Sequence, residues 1–216
     1  MDTISCVIFD MDGVLVNTEP LHKKAYFKTF DFLNLDVSHE LYHSLTGSST
    51  INAFQKLISH FNLNLNPEEL VLQKRAYFNK SFTTDSDLKL LDGVEDIIKY
   101  FYNNGILLVL ASSASNSTIN RVFERFDLDK YFIGKLSGAD LKASKPHPEI
   151  FENAAKLANT SKKKCIVIED SDNGVIAANK AEIFCVGYRS EHSKLQTLET
   201  ADMVIESFEE LKKLPI

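Results

Sequence analysis

Apolar residues fall along this chain in two rhythms. Ile4–Asp10, Ile106–Ser112, Lys164–Asp170, Ile183–Tyr188 and Asp202–Glu206 are short runs rich in Val, Ile, Leu and Phe, the near-continuous pattern of strands covered on both faces. Between them, helices are predicted over Val94–Asn104, Ser117–Phe126, Pro148–Ala158 and Gly174–Lys180. This alternation marks a parallel sheet with helices on both faces, so a doubly wound α/β fold is expected. Residues 16–86 interrupt the pattern: Leu21, Ala25, Phe30 and Leu33 keep a helical period, but no buried strand stands out.

Thr18-Glu19-Pro20 supplies a hydroxyl cap, an acid and a first-turn proline, which together start a helix. Leu91-Asp92-Gly93 forms a turn into the next helix. The expected organisation is an α/β core of residues 1–15 and 87–216 carrying an inserted helical domain of residues 16–86. A chain of 216 residues suits one large domain or one domain with an insertion.

Hydrophobic residues at 44% and charged residues at 25% exclude a disordered, collagen-like or membrane-spanning chain. A net charge of −6 with no basic stripe argues against a nucleic-acid partner. The longest apolar run, Ile106–Ala111, is far below the roughly 20 residues a bilayer requires, and no segment reads as an export signal, so no membrane partner is expected. Cys6, Cys165 and Cys185 are odd in number and lie in apolar runs, as buried free thiols of a reducing compartment do; a cytoplasmic protein is expected. With no obvious self-association surface, a monomer is expected.

In open α/β sheets, ligands gather outside the carboxyl ends of the strands. Those ends are unusually polar here: Asp10-Met11-Asp12-Gly13-Val14, Ser112-Ser113 and Glu169-Asp170, with Lys145-Pro146 in a connection leading to a helix. Taken singly, a D-x-D pair is more often a loop feature, and Ser112 or Ser171 can cap a helix. Taken together, four acids gathered at one edge repel: two carboxylates about 4 Å apart cost roughly 4 kcal/mol at an effective dielectric of 20. The set implies a hard divalent cation.

In order and spacing, Asp10-Met11-Asp12-Gly13-Val14, Ser112, Lys145-Pro146 and Glu169-Asp170 resemble the four motifs of the haloacid dehalogenase-like hydrolases. The D-x-D-G-V opening, the K-P-x-P segment at Lys145–Pro148 and the E-D-S segment at Glu169–Ser171 are similar to the β-phosphoglucomutase and sugar-phosphatase branch, which carries a helical cap. The resemblance implies Mg²⁺ held by the Asp10 side chain, the Asp12 backbone carbonyl and Asp170, with Glu169 as an additional ligand or supporting acid. It implies Asp10 as nucleophile, Asp12 as general acid and base, Lys145 as the neutralising ammonium, and Ser112 and Ser113 as holders of the phosphate. The expected partner is a small-molecule phosphate ester, most simply a sugar phosphate.

Substrate residues are expected in the cap. His22 matches in spacing from Asp10 a histidine that β-phosphoglucomutases place over the site, though a histidine on an amphipathic helix also reads as packing. Asn116 reads as a substrate contact or a helix cap, and Asn17 as a hinge residue. Thr46–Thr50 resembles the cap loop that selects substrates, and Thr50 stands where the mutases carry a phosphate-gripping arginine, which disfavours a mutase. Lys74 and Arg75 could compensate, but helix spacing puts both in solvent. Thr46–Asn52 with Asn17 also resembles a pyrophosphatase branch, which has an acid where this chain has His43-Ser44. A non-catalytic phosphometabolite-binding protein is the alternative from a different class.

Overall fold

Cys6 and Ile8 face one side of the first strand and Val7 and Phe9 the other, and all four are fully buried. That two-sided burial is what a sheet between two helical layers requires. The computed structural model describes residues 2–45, 50–190 and 196–216, without the side chain of His43. Its strands are β1 (Cys6–Phe9), β2 (Leu107–Ser112), β3 (Gly134–Ser137), β4 (Cys165–Glu169), β5 (Phe184–Tyr188) and β6 (Met203–Ile205). Its α-helices are α1 (Glu19–Phe32), α2 (His39–Leu45), α3 (Thr50–His60), α4 (Pro67–Thr84), α5 (Val94–Asn103), α6 (Asn116–Phe126), α7 (Glu149–Leu157) and α8 (Asp172–Lys180).

The strands form one parallel sheet in the order β3-β2-β1-β4-β5-β6, a doubly wound α/β fold. The chain builds outward from β1 to β3, then returns to lay β4 on the other side of β1. The strand order reverses between β1 and β4, and Asp10 and Glu169-Asp170 stand at the ends of these two strands.

One face packs Cys6, Ile8, Val109 and Val167 against Phe151 and Ala154 of α7 and Val175 and Ala178 of α8. On the other face Phe9 meets Phe101 of α5 edge-on. Cys6 and Cys165 are register partners on neighbouring strands, and all three cysteines are buried free thiols. The pattern of apolar runs misses β3. Gly134-Lys135-Leu136-Ser137 is short and half polar, because an edge strand is covered less than a central one.

The chain divides into two units, residues 1–17 with 89–216, and residues 18–88. Within the first, the outgoing and returning segments pair: Val16 bridges Leu90, and Leu91 N donates to Leu15 O at 2.9 Å. The second is helical, with Phe30, Tyr42, Phe54, Leu57 and Leu70 in its core. Pro67 in the first turn of α4 and Asn66, which accepts from Glu68 N at 2.8 Å, start its longest helix. Among the described residues no helix is long and apolar enough to cross a membrane.

Candidate active site

Asp10 directly follows β1, and its N–H donates to Ile168 O of β4 at 3.0 Å, so the central strand pair fixes its position. The chain then turns sharply: Leu15 N and Val16 N both donate to Met11 O, and Gly13 N donates to Val16 O. Gly13 has φ +85°, a conformation L side chains rarely adopt. It also leaves room for its neighbour, since a Cβ there would lie 1.9 Å from Asp170 Oδ2. The Asp170 carboxyl therefore rests on the turn that carries Asp10 and Asp12.

Lys145 closes the group from the connection between β3 and α7. Its side chain is 6% exposed, and Nζ lies 2.5 Å from Asp10 Oδ1, 2.7 Å from Glu169 Oε1 and 3.0 Å from Ala111 O. Burial works against its charge, yet Asp10 and Glu169 more than offset that and raise the ammonium above its ordinary range. Burial pushes the Asp10 carboxyl up to about 7, with Lys145 pulling it down and the Glu169 and Asp12 charges adding to the rise. Burial, then the charges of Glu169, Asp10 and Asp12, hold the Asp170 carboxyl well above the usual carboxylate range.

Of the two roles expected for Glu169, additional metal ligand or supporting acid, the geometry favours the second. Its Oε1 accepts from Lys145, while Oε2 accepts from Asp170 N, Ser171 N and Ser171 Oγ, each at 2.9 Å. The carboxylate is 1% exposed and turned to protein donors, so it anchors Lys145. Gly174 makes room for it, because a Cβ there would stand 1.9 Å from the Glu169 carboxyl. Ser171 caps α8, its Oγ accepting from Gly174 N.

Among the described residues no group of three or more His, Cys, Asp or Glu side chains is arranged to hold a metal ion. Mg²⁺ does not need one, because it binds through one or two carboxylates and keeps several waters. Asp10 and Asp170 fit such an ion: the Asp10 charge is among those that raise the Asp170 carboxyl, and a cation in place of the proton would offset that repulsion.

Ser112 ends β2 with a buried hydroxyl whose oxygen accepts from Ala114 N at 3.1 Å, leaving its proton to donate. Ser113 is exposed beside it. Ser115, not Ser112 or Asn116, is the cap residue of α6. Asn116 is exposed and donates its side-chain amide to Asp140.

In the helical unit, the His22 ring stacks on Phe78 with centroids 4.3 Å apart, and Nδ1 lies 2.7 Å from Lys74 Nζ. Burial, then the Lys74 charge, pushes the His22 imidazole down to about 3, so it is neutral at ordinary pH and accepts from the ammonium. Lys74 corrects the solvated expectation: it is 3% exposed, with Nζ 4.6 Å from the centroid of the Tyr26 ring. Its amphipathic stem and aromatic neighbours make that burial possible. Arg75 is exposed. Thr50, the first residue of α3, hydrogen-bonds Tyr26. Residues 46–49 of the expected substrate loop, and the side chain of His43, lie outside the described residues; Ser44 is exposed.

Residues 7–188 match the family model described as Haloacid dehalogenase-like hydrolase. The chain belongs to the haloacid dehalogenase-like hydrolases. Within this enzyme family, it is 31% identical over 180 residues to the "Phosphorylated carbohydrates phosphatase" of Thermotoga maritima, covering 83% of this chain and 82% of that one. The solved structure of CbbY from Rhodobacter sphaeroides in complex with phosphate superposes with a TM-score of 0.86 at 25% identity, covering 96% of each chain. A β-phosphoglucomutase from Clostridium difficile superposes at 0.81 with 28% identity, covering 97% of this chain and 94% of that one.

The residues that sequence reasoning missed support the site from behind. Gly174 and Gly138 do so by close approach, Ser137 by a side-chain-to-backbone bond to Ala114 O and Asp140 by accepting the Asn116 amide, contacts that leave no signature in the residue types.

Proposed function

We propose that this hydrolase-family chain is a Mg²⁺-dependent phosphatase of a small phosphorylated carbohydrate, working through a phosphorylated Asp10. The observation that carries the reading is the buried Lys145 ammonium bridging Asp10 and Glu169 at the reversal of strand order, with the Asp170 carboxyl packed on the adjoining turn. The phosphatase named for its carbohydrate substrates and the phosphate-bound structure support the same chemistry.

Asp10 Oδ attacks phosphorus and the ester oxygen leaves, protonated by Asp12. Asp12 then takes a proton from water, which attacks the aspartyl phosphate to release inorganic phosphate and restore Asp10. Lys145 holds positive charge against the Asp10 oxygen, so that an anionic nucleophile and an anionic substrate can approach. Ser112 donates its hydroxyl proton, and Ser113 its backbone N–H, to phosphoryl oxygens. Asp10, the Asp12 carbonyl and Asp170 would hold Mg²⁺, which when bound would supply the remaining charge neutralisation at the phosphoryl group. In this reading the helical unit is the cap that selects substrate, with His22, Lys74 and Thr50 as its candidate contacts, and a reducing cytoplasm suits the free thiols.

A panel of phosphate esters tests the proposal. The wild type is expected to release phosphate in a Mg²⁺-dependent manner, and Asp10→Asn to lose at least about 10³-fold in kcat. Undiminished turnover in Asp10→Asn would overturn the mechanism. The similarity to a β-phosphoglucomutase favours a mutase as second reading. Thr50 offers only one neutral donor where a guanidinium fork would grip a second phosphate. Incubation with β-glucose 1-phosphate and a bisphosphate primer separates the two: free phosphate marks the phosphatase, glucose 6-phosphate the mutase.

A further inference from the structure

The strand that the apolar pattern misses ends against the loop following β2. Ser137, the last residue of β3, is buried, and its Oγ donates to Ala114 O at 2.7 Å, 23 residues away in the chain. Ala114 in turn donates its N–H to Ser112 Oγ at 3.1 Å. A relay of two hydrogen bonds therefore runs from Ser137 through Ala114 to the hydroxyl that the proposed chemistry uses. It sets the direction of that hydroxyl, because the oxygen spends a lone pair on Ala114 and keeps its proton for an anion.

Gly138 presses on the same loop. A Cβ there would stand 3.2 Å from Ser113 Cα and 3.4 Å from Ser112 O, closer than most side-chain carbons come to a backbone. Asp140, at the end of the 3-10 turn Gly138–Asp140, accepts the Asn116 amide. One four-residue segment thus meets the Ser112–Asn116 loop at three points, and the same connection runs on to Lys145. Capping the short turn does not account for Ser137. Its oxygen does accept from Ala139 N at 3.2 Å, but a cap needs only that acceptor, and the proton is committed separately to Ala114.

We propose that Ser137–Asp140 is the brace that holds the Ser112–Asn116 loop in its phosphate-binding shape, with Ser137 as the positioning residue acting through Ala114 on Ser112. The inference rests on the phosphatase reading of this site and adds what keeps its anion-holding loop preorganised.

The test compares Ser137→Ala, Ser137→Thr and Gly138→Ala with the wild type in the full chain with Mg²⁺. It reads inorganic-phosphate affinity by ³¹P NMR or calorimetry, thermal midpoint, and kcat and KM for p-nitrophenyl phosphate. Ser137→Ala is expected to weaken phosphate binding about tenfold and to raise KM in step, the effect of losing one organising hydrogen bond. Ser137→Thr, which keeps the hydroxyl, is expected to return affinity to within about threefold of wild type. Wild-type affinity in Ser137→Ala, or a Ser137→Thr variant as weak as Ser137→Ala, would overturn the brace. Should Ser137→Ala not fold, Gly138→Ala decides: displacing the loop while sparing the Ser137 hydroxyl must weaken phosphate binding, and unchanged binding overturns the proposal. A wild type that binds phosphate yet hydrolyses no ester defeats the phosphatase reading and leaves the brace to the binding data. Normal turnover with unaltered phosphate affinity in Ser137→Ala defeats the brace alone, and a wild type that binds no phosphate defeats both.

Discussion

The two units bury charge for different ends. In the α/β unit, Lys145 lies among Asp10, Glu169 and the carbonyl of Ala111, and its partners raise its proton affinity. In the helical unit, Lys74 is equally buried, but its neighbours include a neutral imidazole and the faces of Tyr26 and Phe78. The first arrangement concentrates opposite charges at one point, as a site handling an anionic substrate needs. The second sets aromatic faces and an imidazole nitrogen against the cation, at the cost of holding His22 neutral. A buried lysine by itself therefore says little; the groups around it decide what it can do.

Removing Lys145 probes that contrast hardest. Lys145→Met leaves Asp10 and Glu169 buried without their shared cation, a loss of roughly 3 kcal/mol of stability by analogy with broken buried pairs. Turnover of phosphate esters should fall by at least about 10³-fold, because the charge that lets nucleophile and substrate meet is gone. Denaturant titration and steady-state assays read the two effects, and a variant retaining wild-type turnover would put the chemistry elsewhere.

Gly174→Ala tests the anchor rather than the lysine. The new Cβ would sit 1.9 Å from the Glu169 carboxyl, which must then leave the Asp170 and Ser171 donors or drag Lys145 with it. We expect about 1–3 kcal/mol of destabilisation, the usual range for overpacking, together with about tenfold lower kcat. A stable variant with unaltered kcat would show that Glu169 does not set the position of Lys145.

How much of this was legible beforehand differs between the units for a physical reason. Central strands such as β1 and β4 are covered on both faces and declare themselves as apolar runs, and the acids at their ends stand out against that background. β3, half polar and at the edge, carries no such signal, and with it the Ser137–Asp140 contacts stay hidden. Glu169 shows as an acid in a motif, but the direction its oxygens face depends on Gly174 and on backbone donors that any sequence possesses. In the helical unit, helix periodicity puts Lys74 in solvent because a charged residue usually belongs there. The rings of Tyr26 and Phe78 and the His22 nitrogen around its ammonium are invisible to that periodicity. The family resemblance reached the α/β motifs residue by residue, and its cap loop falls largely on residues 46–49, outside those described.

The helical unit can be probed through pH. The folded-state His22 imidazole is held down to about 3, against about 6.5 when unfolded. Its neutral form is favoured by folding, so its contribution is fully present above about 6.5 and is lost as pH falls towards 3, a window in which the unfolded chain binds more protons. Between pH 7.5 and pH 5 the wild type should lose on the order of 2 kcal/mol through this group. His22→Gln, which can still accept from Lys74 but cannot titrate, should flatten the stability profile in that window. Parallel profiles for the two proteins would mean that His22 is not held neutral.

Ser81→Ala should have the smallest effect, with the opposite sign. Ser81 is 2% exposed near the end of α4, and its hydroxyl finds no hydrogen-bond partner among the described residues. A buried donor without a partner costs its desolvation, and serine is a poorer helix former than alanine. Deleting one oxygen leaves a void too small to cost much. The sum predicts a gain of about 0.5–1.5 kcal/mol, read as a higher thermal midpoint, with p-nitrophenyl phosphate turnover unchanged. This is the reverse of what any polar substitution at Lys145 or Glu169 should do, since there every buried polar atom has a partner and removing one strands the other. A loss of stability in Ser81→Ala would show that the hydroxyl has a partner after all, and the contrast with the partnered atoms of Lys145 and Glu169 would fall.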